Sequence, residues 1–305
     1  MRQLIINADG YGFTEGITRA IEECIDFGTV RSISANVNFR SAERLTELVR
    51  RHPDLSVGCH LNPVVGKPVL PPDRVRTLLA DDGDFHYKSF ARKLSGGAID
   101  LSEVRAELMA QVARTKELVG PAFTHVDFHM GLHRLPRLYP LFLEVARASG
   151  TGRIRTHRYR VGLEGKRPSL YHWAYILRSP VRAAKYAWNL ILRARARRQG
   201  LSMPDSWVSV TEMATHPDRI SVENYVHLLH NLPSGIHEFV AHPAYLDEEL
   251  RRYSTYLEPR ERERRVLLSA DFKAALQESG VRLAGYRDIP RKGAGEAGAR
   301  AEALV

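Results

Sequence analysis

Short apolar segments alternate with helical patterns along almost the whole chain, and this alternation limits the folds open to it. Regular strand–helix alternation is typical of a parallel sheet, because neighbouring parallel strands need a crossover connection that is usually a helix. Residues 68–95 carry turn signals and are predicted as a loop. The predicted strands are 3–8, 30–37, 56–61, 123–128, 153–155, 236–241 and 281–284, and the predicted helices are 16–27, 41–51, 102–119, 138–148, 222–232 and 260–279.

Closure of this sheet into a distorted (β/α) barrel is the fold that we predict. The chain has 305 residues, and such barrels take about 250 residues plus insertions. A doubly wound open sheet is the alternative, but no G-x-G-x-x-G sequence follows the first strand, which argues against the dinucleotide-binding form of that fold. A hydrophobic content of 44% excludes disordered, collagen-like and disulfide-stapled chains.

Residues 1–290 are predicted to form a single barrel domain with a basic, aromatic-rich insertion at about 157–205. The tail at 291–305 is rich in Gly, Ala, Glu and Arg and is predicted to be disordered. The apolar run at the N-terminus is too short for a secretory signal, and Cys24 and Cys59 form no CxxC pattern. We therefore expect a cytoplasmic protein, and the sequence leaves open a position at the inner face of the membrane and a homodimer.

Polar residues follow four of the predicted strands at the point where each strand ends. Because active sites of parallel barrels lie at the carboxyl ends of the strands, we expect these clusters to converge although they are far apart in sequence. A single histidine after a strand is more often structural, but four clusters in the same topological place favour a site. The residues expected to meet are Asp9, His60, His129 and His242.

The residue types in these clusters favour a metal site with hydrolytic chemistry. Imidazole and carboxylate bind divalent ions, and two histidines with one carboxylate leave positions open for water and substrate. Strand alternation directs His125, Asp127 and His129 to one face, whereas His133 lies beyond the strand. We predict that His129 is a ligand, that Asp127 supports a ligand or contacts substrate, that His125 is structural, and that His133 is a rim residue without a role.

In this order and with this spacing, the clusters resemble the signature blocks of the YdjC-like carbohydrate deacetylases, a group that includes chitooligosaccharide deacetylase. The resemblance runs from about residue 3 to residue 290 and rests on Asn7-Ala8-Asp9-Gly10-Tyr11-Gly12, Gly58-Cys59-His60-Leu61-Asn62, Thr124-His125-Val126-Asp127-Phe128-His129 and Glu238-Phe239-Val240-Ala241-His242-Pro243. It implies a distorted (β/α) barrel and hydrolysis of an N-acetyl group from an amino sugar. It also implies one divalent metal, magnesium with zinc or cobalt as alternatives, held by His60 and His129.

One position departs from the family pattern. The first block of the family usually reads Asn-Ala-Asp-Asp-Phe-Gly, whereas this chain has Gly10 in place of the second acid. If the first acid is the base and the second a metal ligand, as in related deacetylases, this chain keeps the base as Asp9 and lacks a ligand. Three outcomes stay open: Asp9 itself binds the metal, water fills the gap with weaker binding, or the reaction has been lost or changed.

These considerations assign a role to each candidate residue. Asp9 is predicted to take a proton from the attacking water, and His242 to protonate the departing amine, which is otherwise a poor leaving group. The predicted metal ligands are Asp9, His60 and His129, and the predicted substrate-binding residues are Asp127 and Arg155.

The positive charge of the protein is concentrated in residues 151–200. This segment holds thirteen Lys or Arg and one acid, Glu164, so it carries +12 whereas the whole chain carries +10. Four interpretations stay open: a solvated insertion, contact with an anionic membrane or lipid carrier, binding of an acidic or phosphorylated sugar, and nucleic-acid binding. In the helix that Ser179-Pro180 would begin, one stripe is predicted from Val181, Ala184, Trp188, Ile191 and Leu192.

Two further runs bear on the substrate. Gly200-Leu201-Ser202-Met203-Pro204-Asp205 and Leu232-Pro233-Ser234-Gly235 resemble the longer members of the family, including those associated with hopanoid glycolipids. This resemblance favours a lipid-linked or membrane-proximal N-acetylated sugar over a free oligosaccharide. The alternative from a different class is a nucleic-acid or anionic-membrane binding protein built on a degenerate, inactive barrel, with nucleic acid the less favoured partner.

Overall fold

A computed structural model describes residues 1–210 and 217–291. The predicted tail at 291–305 lies outside the described residues except for Arg291. The strands are β1 (Arg2–Tyr11), β2 (Ser32–Ala35), β3 (Ser56–Leu61), β4 (Phe123–Phe128), β5 (Tyr159–Val161), β6 (Ser206–Ser209), β7 (Gly235–Ala241) and β8 (Val281–Ala284). The α-helices are α1 (Glu15–Phe27), α2 (Leu45–Arg51), α3 (Phe90–Ser95), α4 (Leu101–Val119), α5 (Tyr139–Ala148), α6 (Pro168–Leu177), α7 (Pro180–Arg198), α8 (Val222–His230), α9 (Glu248–Tyr253), α10 (Glu258–Leu267) and α11 (Ala270–Glu278).

The first helix shows how local sequence sets the bounds of an element. Thr14 is extended, and its side chain accepts a hydrogen bond from the backbone N–H of Ile17, which begins α1. Gly28 ends the helix in the left-handed region, with φ at 91°, and its N–H donates to the carbonyl groups of Cys24 and Ile25. The predicted helix and its glycine stop are therefore confirmed.

β1 lies at the centre of a parallel sheet of eight strands. The strands run in the order β4-β3-β2-β1-β7-β6-β5, and β8 also pairs with β1. β8 pairs with residues 2–5 of β1, and β2 pairs with residues 7–11, so both strands lie along the edge of β1 opposite β7. The sheet is distorted at this point, because two strands share one edge of a third.

Backbone hydrogen bonds outside the regular strands close the sheet into a barrel. The N–H of Val126 in β4 donates to the carbonyl of Arg153 at 3.1 Å, and the N–H of Ile154 donates to the carbonyl of Ser202 at 3.0 Å. The chain then runs from Ser202 into β6, which pairs with β7. The predicted distorted (β/α) barrel is confirmed, and the open-sheet alternative is excluded because both ends of the sheet are joined.

Two predictions of helical structure are corrected, and the strand predicted at 153–155 pairs only through isolated bridges. The helix predicted at 260–279 is two helices, α10 and α11, because the side chain of Ser269 accepts a hydrogen bond from the N–H of Phe272 and caps a new helix. The segment 68–95, predicted as a loop, contains α3, whose Phe90 and Leu94 are buried. Both changes lie outside the strands that carry the polar clusters.

Only part of the apolar stripe predicted for α7 faces the core. The helix begins at Pro180 with Ser179 as its cap, as expected, but Val181 and Ile191 of the stripe are exposed. The buried residues of the helix are Tyr186, Asn189, Leu192, Arg193 and Ala196, of which Leu192 belongs to the predicted stripe. Within the described residues, every helix is too short or too polar to span a lipid bilayer.

Candidate active site

The four predicted clusters converge at the carboxyl ends of the central strands. Asp9 is near the end of β1, His60 is near the end of β3, and His129 and His242 directly follow β4 and β7. The Nε2 atom of His242 lies 3.9 Å from Oδ2 of Asp9, and the rings of His60 and His129 have centroids 5.3 Å apart. Convergence follows from the parallel topology, which brings the ends of these strands to one rim.

Arg155 lies at the centre of this group and is paired with three carboxylates. Its Nη1 and Nη2 atoms donate to both oxygens of Asp9 at 2.7 and 2.6 Å, and Nη2 also contacts Oδ2 of Asp127 at 2.8 Å. Its Nε atom donates to Oε1 of Glu238 at 3.0 Å. The side chain was predicted to bind substrate, but the structure directs its donors to buried protein carboxylates.

The charge of Arg155 determines the state of Asp9. Burial by itself would raise the pKa of Asp9, but Arg155, together with His60 and His242, lowers it well below the usual range. Asn7 adds a further hydrogen bond, from its Nδ2 atom to Oδ1 of Asp9 at 2.7 Å. Asp9 is therefore held ionised and in one orientation.

Asp127 orients the imidazole of His60. The Nδ1 atom of His60 lies 2.8 Å from Oδ1 of Asp127, which leaves Nε2 as the ring nitrogen free of this contact. The hydroxyl of Ser34 donates to the other oxygen of Asp127 at 3.0 Å. Asp127 is only 1% exposed. The structure therefore favours its predicted role of supporting a metal ligand over its predicted role of contacting substrate.

Three of these side chains form a group that could hold a metal ion. Ligand atoms of Asp9, His60 and Asp127 all lie within 4.8 Å of one another. The predicted ligand set contained His129 in place of Asp127. His129 lies beside the group, and burial together with the neighbouring His60 lowers its pKa to about 3. The ring of His129 is therefore neutral near pH 7, which is the form that binds metals.

His242 is held by a residue that the sequence did not reveal. Its backbone N–H donates to Oε2 of Glu263 in α10 at 2.5 Å, and the same oxygen lies 3.9 Å from its Nδ1 atom. Burial lowers the pKa of His242 to about 3, although the charge of Asp9 opposes this shift. The ring is therefore neutral before any reaction. Glu263 could not be recognised in the sequence as a partner of His242, because it lies in a helix with several other Glu and Arg residues.

Glu238 and Tyr286 fix the position of Arg155 from below the rim. Glu238 is fully buried in β7, and the hydroxyl of Tyr286 donates to its Oε2 atom at 2.8 Å. The ring of Tyr286 stacks on that of His125 at 3.6 Å, and His125 fits against the backbone of Gly58, where a Cβ atom would lie 2.3 Å from the ring. Glu238 could have been found in the sequence, because an acid inside an apolar strand needs a buried partner.

The titration of Glu238 leads to a measurable pH dependence. Burial raises its pKa to about 7, although Arg155 opposes the shift, whereas an unfolded glutamate titrates near about 4.3. At pH values between these two pKa values, Glu238 is protonated in the folded protein but ionised in the unfolded chain. Its contribution to stability therefore falls as the pH rises through this window. As the pH rises from about 5 to about 8, we expect the free energy of unfolding of Glu238→Gln to increase by about 2–3 kcal/mol relative to that of the wild type.

Urea denaturation of both proteins across this pH range measures the difference. The wild-type profile must be subtracted from that of the variant because other buried groups also titrate in this range. His129 and His242, for example, have lowered pKa values, which make stability rise with pH below about 6.5. Parallel profiles for the variant and the wild type would show that Glu238 is ionised throughout.

Gly10 bends the chain directly after Asp9. The register between β1 and β2 shifts between Asp9 and Tyr11, and Gly10 has φ at 98°, a conformation that favours glycine. A Cβ atom would meet only Ile17, at 3.6 Å. Backbone conformation, rather than lack of space, therefore accounts for glycine at the position where the family usually has a second acid.

His133 is not a rim residue, as had been predicted. Its side chain is buried, and its Nε2 atom lies 3.2 Å from Nε2 of His157, which is also buried. Burial lowers the pKa of both rings, so the two imidazoles are neutral and share one hydrogen bond. The pair packs against Tyr139 and belongs to the core.

Comparison with known proteins agrees with this geometry. A family model described as YdjC-like protein matches residues 3–278. A carbohydrate deacetylase of Mus musculus is 32% identical and covers 96% of this chain and 97% of its own length. A carbohydrate deacetylase of Thermoanaerobacter pseudethanolicus is 28% identical, with coverages of 94% and 98%. A chitooligosaccharide deacetylase of Yersinia pestis is also 28% identical, with coverages of 93% and 98%.

A solved structure shows the same fold. It is a protein from Enterococcus faecalis described as a candidate cellobiose-phosphate cleavage protein, with a TM-score of 0.70 and 27% sequence identity. The match covers 94% of this chain and 98% of that chain. With a family model that spans most of the chain and relatives aligned over nearly its full length, this protein belongs to the YdjC-like family.

Proposed function

We propose that this protein is a metal-dependent hydrolase that removes the N-acetyl group from an amino sugar. The observation that carries the proposal is the pairing of Asp9 with His242 at the barrel rim, directly beside the group formed by Asp9, His60 and Asp127. Amide hydrolysis needs a group that accepts a proton, a group that donates one to the amine, and a means of stabilising negative charge. The names of the relatives, carbohydrate deacetylase and chitooligosaccharide deacetylase, support the same reaction.

The donor chemistry of the site fits a divalent ion. Asp9, His60 and His129 would hold it, and the hydrogen bond from Asp127 to the far nitrogen of His60 is typical of supported metal ligands. When bound there, such an ion supplies polarisation of the amide carbonyl and stabilises negative charge on its oxygen. The family resemblance favours magnesium, with zinc or cobalt as alternatives. Imidazole nitrogen ligands suit zinc and cobalt better than they suit magnesium.

Asp9 and His242 together account for the proton transfers. His242 is neutral at the start, so it must first acquire the proton that it gives to the amine. Asp9 accepts a proton from water, and its Oδ2 atom lies 3.9 Å from Nε2 of His242. Because Arg155 makes a protonated Asp9 unfavourable, Asp9 passes the proton on, and His242 delivers it to the nitrogen as the C–N bond breaks.

Acetate release from N-acetylglucosamine oligomers tests the proposal and its metal requirement together. We expect the purified protein to release acetate, a chelator to reduce the rate to background, and added magnesium, zinc or cobalt to restore it. Circular dichroism before and after chelation controls for loss of fold. A rate that the chelator leaves unchanged would refute the metal requirement, and no acetate release from any N-acetylated glycan or glycolipid would refute the reaction.

We further propose that the sugar is linked to a lipid or presented at a membrane. The basic, aromatic-rich insertion supports this choice, because its charge places a positive surface on the same chain as the site. A panel that contains both free oligosaccharides and N-acetylated glycolipids distinguishes the two substrate classes through their kcat/KM values. A preference for the free oligosaccharide would contradict the lipid link without affecting the deacetylase proposal.

A further inference from the structure

The exposed apolar surface of the protein is concentrated on two helices. Of the ten large hydrophobic side chains that are exposed in the described residues, seven lie on α6 and α7. They are Leu170, Tyr171, Trp173, Leu177, Val181, Leu190 and Ile191. Exposed apolar residues concentrated on two consecutive helices are typical of a contact surface, whereas apolar residues exposed singly are not.

The apolar residues of α6 recur on one face of the helix. Leu170, Trp173 and Leu177 are spaced three and four positions apart and are 61%, 50% and 72% exposed. Val181, which is 62% exposed, follows within one turn of α7. The opposite face of α6 buries His172 and Ile176. The outward face of α6 is therefore more apolar than the outward face of an ordinary solvent-exposed helix.

In α7 apolar and charged residues lie on both the buried and the exposed face of the helix. Asn189 and Arg193 are on the buried face, whereas Leu190 and Ile191 are 41% and 48% exposed. An ordinary surface helix directs its apolar stripe to the core and its charges to water. Leu190 and Ile191 are therefore the part of this face that an apolar partner would cover.

The charge of the two helices is entirely positive. No Asp or Glu occurs between Glu164 and Asp205, and nine Lys or Arg lie between them. Several of them are exposed, including Arg167 and Arg178 directly before and after α6. Basic residues beside exposed Trp, Tyr and Leu are typical of helices that lie in the interface of an anionic bilayer.

A small cavity opens beneath the same helices. Its volume is about 50 Å³ and its walls include Arg158, Arg160, His172, Trp173 and Tyr186. The residues that line it include no Asp or Glu, so the two arginines face no acid within the cavity. A cavity with two guanidinium groups suits a single anionic group such as a phosphate.

We propose that α6 and α7 form a membrane-docking surface that binds bilayers containing anionic phospholipid. Leu170, Trp173, Leu177 and Val181 enter the interface, and the basic residues face the headgroups. A second copy of this chain fits the surface poorly, because a two-fold interface would place like charges opposite each other. The choice of a lipid-linked substrate rests on the proposed function, but the membrane contact is measured without substrate.

Vesicle flotation tests the proposal with the full-length protein. The probes are vesicles of phosphatidylcholine alone and of an equal mixture of phosphatidylcholine and phosphatidylglycerol. We expect binding to the mixed vesicles only, and weaker binding as salt is added. Equal binding to both vesicle types, or binding to neither, would overturn the proposal.

Two variants separate the apolar and electrostatic contributions. The triple change Leu170→Ser, Leu177→Ser and Val181→Ser is expected to weaken binding at least about tenfold, because it removes the apolar contact. The double change Arg178→Gln and Lys185→Gln is expected to weaken it about fivefold per charge. Exposed side chains are replaced throughout, so circular dichroism is expected to match the wild type.

A matched control and a solution measurement complete the design. Tyr87→Ser with Arg74→Gln removes one exposed aromatic and one exposed charge from the segment between β3 and α4, and is expected to bind like the wild type. Deacetylation of a soluble oligosaccharide is expected to be the same in all variants, so failure of the membrane proposal and failure of the proposed function are distinguishable. If the triple variant bound vesicles normally but changed a dimer into a monomer, the surface would be an interface between copies and the proposal would be wrong.

Discussion

Replacing Arg155 with Met is expected to destabilise the protein by about 3–5 kcal/mol, the largest stability effect that we predict for a single change. Asp9, Asp127 and Glu238 would lose the cation that they share, and all three are buried. A buried carboxylate without a partner is costly because the interior does not solvate it. Urea denaturation at neutral pH measures the change in the free energy of unfolding.

The pH dependence of this variant distinguishes charge loss from simple loss of packing. Without Arg155, the pKa of Asp9 is expected to rise from its lowered value, so the folded variant takes up protons more readily than the wild type. The variant should therefore recover stability relative to the wild type as the pH falls toward about 5. Arg155→Lys keeps the positive charge but not the paired N–H donors, so it should lose less stability than Arg155→Met. A variant as stable as the wild type at every pH would disprove the central role of Arg155.

Replacing Asp9 with Asn is expected to lower kcat/KM by about 10³-fold or more. Asparagine is nearly isosteric and can still bond Arg155, but it cannot accept a proton from water. Because His242 is neutral before the reaction and relies on Asp9 for its proton, one change should block both transfers. Steady-state rates of acetate release on the same substrate measure the effect.

Two controls make the Asp9 result interpretable. Metal content is measured in the variant, because Asp9 is also a predicted ligand and lost metal would by itself lower the rate. Asp54→Asn changes an exposed aspartate that precedes β3, at the end of that strand opposite His60, and is expected to retain the wild-type rate. Full activity of Asp9→Asn at unchanged metal content would show that another residue takes the proton.

The barrel could be predicted from the sequence because its signals are local. Each strand and helix has its own periodicity, and β3, β4 and β8 match the predicted bounds residue for residue. Parallel topology then brings the ends of the strands together without further information. For this reason the meeting of Asp9, His60, His129 and His242 was also predictable.

The partners of Arg155 could not be predicted, because they are distant in sequence. Asp9 lies 146 positions before it and Glu238 lies 83 positions after it. The residue stands in a short segment that pairs through isolated bridges, where side-chain direction does not follow a regular alternation. A basic residue near a proposed sugar site therefore appeared to be a substrate contact, whereas the fold uses it to hold three carboxylates.

The outer face of α7 was misjudged for a different reason. Periodicity shows that Val181, Ala184 and Ile191 share a stripe but does not show which side of the helix is covered. The usual rule assigns the apolar stripe to the core, but here only Leu192 of the stripe is buried and these three residues are exposed. The exposed part of the stripe is one of the observations behind the membrane-docking proposal.

Hydrolysis of an N-acetylated amino sugar in heavy-oxygen water tests the central claim most directly. The metal-loaded protein is incubated with an N-acetylglucosamine oligomer or an N-acetylated glycolipid, and both products are analysed by mass spectrometry. The account predicts equal amounts of free amine and acetate, with one labelled oxygen in each acetate, and neither product from Asp9→Asn. Metal-loaded protein that yields no acetate from any member of the panel would contradict the account.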